Sequence, residues 1–213
     1  EKFLQEITGG RYYEARSILP PGMPGYDPAV KGYPYDIKRG KTLIRQGKTN
    51  QQLRFTLISA SKSDEAIKDL NFIKESLSRI GVEVEVVFIT DWEEFERRLT
   101  KGQFDVFRYV WYADYPHPDN FVGALFNSSS QYNFMRYKNE KVDSLLEKAN
   151  AEQDYLKRMN LYREVDRMVM EDAPIVPIYY EILEELFQPY IKGIEITGLG
   201  IQFMPMKKIW LER

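Results

Sequence analysis

The sequence predicts an α/β fold, a mainly parallel sheet flanked by helices. Three segments rich in β-branched and aromatic residues, LRFTLISA (53–60), VEVEVVFI (82–89) and FDVFRYVWY (104–112), are separated by two segments of helical apolar spacing. The connections between them are only a few residues long, which is the arrangement that crossover-linked parallel strands require. Across 213 residues, 43% are apolar and 29% charged, the composition of a folded globular domain that can bury a core.

Residues 1–35 concentrate prolines (Pro20, Pro21, Pro24, Pro28, Pro34) and glycines, so they read as an extended lead-in that must lie on something else. From Asp36 to Gly47 the spacing of Ile37, Leu43 and Ile44 and the closing glycine predict a short helix. After the first strand, Ser63 stands as an N-cap with Asp64 and Glu65 in the first turn. Ile67, Leu70, Ile73, Leu77 and Ile80 then recur at helical spacing up to Gly81, predicting a helix over 64–80. After the second strand, Asp91 and Glu94 fit a reciprocal cap for a helix over 91–100, with Trp92, Phe95 and Leu99 on one face. The third strand follows at 104–112.

The second half is helical in character. DNFVGALF starts a short helix, Asn139 caps a run through Val142, Leu145, Leu146 and Ala149, and a longer helix spans Tyr155 to Glu171. Asp172-Ala-Pro174 ends it, and IVPIYYEI gives a short strand whose Pro177 favours an edge or irregular position. The chain therefore divides into an extended lead-in (1–35), an α/β lobe (36–185) and a C-terminal segment (186–213).

Composition excludes several chemistries. Lys+Arg number 30 and Asp+Glu 32, a net charge of -2, so there is no basic excess to neutralise phosphates and nucleic acid is not an expected partner. With no cysteine, there is no disulfide, Cys-ligated metal or thiol nucleophile. His117 is the single histidine, so no multi-His metal site is expected, and no metal or cofactor is called for. Neither GxGxxG nor GxxxxGK[ST] occurs. No stretch approaches the length of an apolar membrane span, and EKFLQEITGG, lacking an initiator Met, reads like the middle of a longer sequence.

The densest functional cluster is FDVFRYVWYADYPHPDNF, 104–121, because ligands of open α/β sheets bind beyond the carboxyl ends of strands. Arg108 lies inside an apolar run and needs an anionic partner, and Asp114 follows six positions later. One reading is a cation and an anion that together receive a zwitterion. The other pairs Arg108 with a local carboxylate and leaves the aromatic residues as core. His117, between two prolines, is either a general base or an exposed, inert loop residue.

Several segments in order resemble the extracytoplasmic solute-binding proteins of peptide ABC transporters, the oligopeptide- and dipeptide-binding proteins. They are SILPPGMPGYDP, YPYDIKRGKTLI with Asp36 and Lys41 in register, LNFIKESLSRIGVEVEV, FDVFRYVWYADYPHPDNF, and the closing helices with IVPIYY. The resemblance implies a periplasmic-binding-protein-like lobe, the second of two that close on a ligand, with the N-terminal lobe preceding this segment. It implies a binding protein rather than an enzyme, outside the cytoplasm, that hands peptides to permease subunits in the membrane. It further implies that Asp114 holds a peptide α-amino group, that Arg108 meets the carboxylate, and that Trp111 and Tyr112 line the chamber. Tyr109-Val110 stands where small residues are usual, so the same scaffold binding an oligosaccharide or a metal chelate remains an alternative. A small hydrolase built on His117 is a third, with no second histidine and no cysteine to support it.

Overall fold

The computed structural model describes residues 12–47, 52–195 and 204–212. They gather into two compact units, one formed by Tyr33–Val110 and the other by the chain up to Gly32 together with the chain from Trp111 onward.

The first unit opens with α1 (Ile37–Gln46), whose first free N–H groups are met by the Asp36 side chain, which accepts from the Arg39 amide. Its apolar face is shallow: none of its residues is buried, and Ile44 packs only at the border of the core. Strands β2 (Leu53–Ser59), β3 (Val82–Phe88) and β4 (Val106–Arg108) pair in parallel in the order β3-β2-β4, after the short β1 (Tyr13–Glu14) of the other unit. Helix α2 (Asp64–Ser78) links β2 to β3 and α3 (Trp92–Lys101) links β3 to β4. The VEVEVV alternation places Val82 and Val84 in the core with Leu57 and Leu70, while Glu83 faces solvent and meets Arg54 across the ladder at 2.7 Å.

Ser63 caps α2 as expected, its side chain accepting from the Ala66 amide. Asp91 caps α3 through the Glu94 amide, but the reciprocal half of that cap is not what Glu94 serves. Its carboxylate instead receives Arg97 and Arg98, which hold its pKa down at about 2. Phe95 and Leu99 of α3 are buried, whereas Trp92 is more than half exposed and stacks loosely on Tyr109.

The third strand is much shorter than the 104–112 expected, and its residues are exposed to half-buried rather than core. The ladder explains this. Strand β2 offers β4 only Leu57 to Ser59 as partners, β4 ends the described sheet, and from Trp111 the chain belongs to the other unit.

The second unit is built on α4 (Asp119–Phe126), α5 (Glu140–Ala151) and α6 (Tyr155–Asp172). Asn139 caps α5 and Asp154 caps α6, and α6 ends at Ala173 in the left-handed region just before Pro174. Its core includes Val122, Phe126, Leu146, Tyr162 and Val165, with Ile18 and Leu19 of the lead-in packed into it. The lead-in is thus tied down by burial, and by Asp166, which accepts the Ile18 amide at 2.9 Å. IVPIYYEI keeps only two ladder residues, β5 (Tyr179–Tyr180), antiparallel to β1. Toward the C-terminus β6 (Ile191–Lys192) pairs antiparallel with β7 (Trp210–Leu211).

Candidate functional site

The parallel sheet brings the carboxyl ends of its three strands to one side, with Ser59 opposite both Phe88 and Arg108 in register. The amino end of α2 follows Ser59 at that end, and one and a half turns into the helix Asp69 lies among the buried residues. Its Oδ2 accepts Arg108 Nη2 at 2.9 Å, with the Asp69 side chain 0% and the Arg108 side chain 15% exposed. Arg108 therefore has a carboxylate partner within its own unit, as the second reading of its position anticipated. Asp69 was not singled out by sequence, although the signal existed: a carboxylate one position before Leu70, on the apolar face of a helix.

The other three candidates lie in the second unit, in the loop that leads to α4. Trp111 is half-buried, and its indole Nε1 donates to the Asn120 carbonyl at 2.7 Å while the ring meets Tyr132 edge-on at 5.2 Å. Tyr112 is exposed and its hydroxyl donates to the Glu181 carboxylate. Asp114 is exposed, and its backbone amide donates to Asn120 Oδ1 at 3.0 Å. The loop then closes tightly, with the His117 amide on the Tyr115 carbonyl and the Asn120 and Phe121 amides on the His117 and Pro118 carbonyls. The result is a hydrogen-bonded loop that exposes the Asp114 carboxylate and the rings of Tyr112 and Tyr115, groups able to receive a cationic group and apolar surface.

His117 is not the exposed residue that its prolines suggest. It is half-buried, its ring meets Tyr162 edge-on at 5.2 Å, and its Nδ1 accepts the Asp119 amide at 3.3 Å. Burial pushes the imidazole pKa down, against a smaller opposing pull from Asp119. Its contacts are those of a packed loop residue. Among the described residues, no three His, Asp or Glu side chains converge as a metal site, and no helix is long and apolar enough to cross a membrane.

Against this geometry, the profile of the family described as "Bacterial extracellular solute-binding proteins, family 5 Middle" matches residues 1–133. The dipeptide-binding protein of Escherichia coli K12 is 24% identical over 207 residues, covering 94% of this chain and 38% of its own length. Heme-binding protein A of Haemophilus influenzae is also 24% identical, over 92% of this chain and 37% of its length. Among solved structures, the periplasmic binding protein DppA of Helicobacter pylori in complex with the peptide STSA superposes with a TM-score of 0.82 and 26% identity, over all of this chain and 41% of that one. The chain thus spans about two fifths of the length of the proteins that it matches.

Proposed function

The chain belongs to the bacterial extracellular solute-binding proteins of family 5, and from that premise we propose that it is part of a non-enzymatic receptor that binds short peptides outside the cytoplasm and delivers them to an ABC permease. The full-length protein supplies the rest of the binding surface, and the ligand is enclosed between this segment and that remainder. Asp114 takes the peptide α-amino group, Trp111 and Tyr112 flank it, and Arg108 is the contact for the carboxylate.

The observation that carries this reading is the Asp114 carboxylate, exposed on a loop whose backbone is fixed by Asn120 and Trp111. A hydrogen bond between an ammonium and a carboxylate contributes roughly 1.5–3 kcal/mol, enough to make main-chain charge the selector while side chains vary. In the full-length protein, Asp114→Ala is expected to weaken peptide binding at least about tenfold in calorimetry, the equivalent of about 1.4 kcal/mol. Unchanged affinity overturns the Asp114 assignment.

The exposed rings of Tyr112 and Tyr115 favour one second reading, an oligosaccharide stacked on them. Thermal stabilisation by sugars and not by peptides decides for it.

A further inference from the structure

Asn120 holds the loop that carries Asp114 at two points. Its main-chain carbonyl accepts the Trp111 indole N–H at 2.7 Å and its side-chain Oδ1 accepts the Asp114 amide at 3.0 Å. Asn120 is itself fixed, because it is the second residue of α4, is only 5% exposed, and is followed by Phe121 and Val122 in the core. A side chain near a helix N-terminus commonly caps its own helix, yet the residue at the cap position here is Pro118, whose ring carries no acceptor. Asn120 instead reaches back six residues to a loop amide. Burying a carboxamide is costly without a partner, and the Asp114 amide supplies one.

We infer that Asn120 is a positioning residue for ligand recognition: by binding the Asp114 amide through its side chain, it sets the Asp114 carboxylate in place before ligand arrives. An exposed carboxylate on an unrestrained loop gives up conformational freedom each time it binds a cation, and fixing its backbone in advance removes that cost. The role requires an oxygen acceptor at the end of a two-carbon side chain. Asp keeps that acceptor and Ala removes it. The inference rests on the reading of Asp114 as the amine contact.

The test uses the full-length protein, with Ala-Ala and Ser-Thr-Ser-Ala as probes, each with a free and an acetylated amino terminus, in isothermal titration calorimetry. The unaltered protein is expected to prefer the free amine, and Asp114→Asn to erase the preference. Asn120→Ala is expected to weaken free-amine binding about tenfold with acetylated-peptide binding unchanged, and Asn120→Asp to stay within about threefold of the unaltered protein. A merely structural asparagine lowers both affinities alike, and that result overturns the inference. If Asp114→Asn erases the preference and Asn120→Ala keeps it, the Asn120 role falls while the Asp114 reading stands. If Asp114→Asn keeps the preference, or no probe binds, the reading beneath it falls as well. Amide hydrogen exchange of the unaltered protein gives a check that needs no variant to fold: the Asp114 amide is expected to be protected, and exchange at an open-loop rate contradicts the inference.

Discussion

Asp69 and Arg108 form a salt bridge of 2.9 Å that ties the second turn of α2 to the last residue of β4, with the acid fully buried and the base partly so. Taking two charges out of water is favourable only while both are present, so the single removals are the informative ones. Asp69→Ala takes the carboxylate away from a guanidinium that is 15% exposed and is expected to cost roughly 3–5 kcal/mol in denaturant unfolding. The double variant Asp69→Leu, Arg108→Met removes both charges and is expected to recover most of that loss.

The same pair bears on ligand binding. Because Asp69 already offsets the Arg108 charge, the contact proposed between Arg108 and a peptide carboxylate is weakened, whereas the proposed amine contact, Asp114, is exposed. Amidating a peptide's C-terminus is therefore expected to weaken binding to the full-length protein less than acetylating its N-terminus. Calorimetry with the two blocked forms of one peptide checks the order of the effects.

His117 gives the protein a pH dependence whose sign follows from its burial. Its imidazole pKa lies below the ordinary 6.5 in the folded state, so the unfolded chain takes up the proton first. Stability from this group is complete above about pH 6.5 and is lost as pH falls through the lowered folded value. Melting temperatures of the protein and of His117→Phe, measured from pH 8 to pH 5, are expected to diverge toward low pH, with the variant falling less.

Asp166 shows the opposite displacement. Burial pushes its carboxyl pKa up, and the amide of Ile18, the Ser17 hydroxyl and the amide of Leu19 pull it back. Asp166→Ala leaves the Ile18 amide unpaired beside the core and is expected to cost about 1–3 kcal/mol, read as a lowered melting temperature. Asp166→Asn keeps an acceptor and is expected to cost less.

The regular elements were readable because local signals agreed with tertiary placement. Ser63, Asp91 and Asn139 cap the helices they precede, and the valines of VEVEVV face the core at period two. The apolar run at 104–112 predicts a longer third strand than forms, because pairing stops where β2 stops, at Ser59. Strand β1 has no signal in the sequence, because two residues, Tyr13 and Glu14, carry no periodicity and are paired as a strand with Tyr180 and Tyr179. At the candidate site, the aromatic and acidic residues stood out by type. Their partners did not: Asp69 is 39 residues from Arg108 and Glu181 is 69 from Tyr112, distances at which sequence spacing holds no geometric information.

The most direct test of the peptide reading is mass spectrometry of the small molecules released when the full-length protein, purified from its native source, is denatured. A ladder of short peptides with free amino termini is the expected result. A single sugar or a metal chelate in their place contradicts the peptide reading and the role given to Asp114.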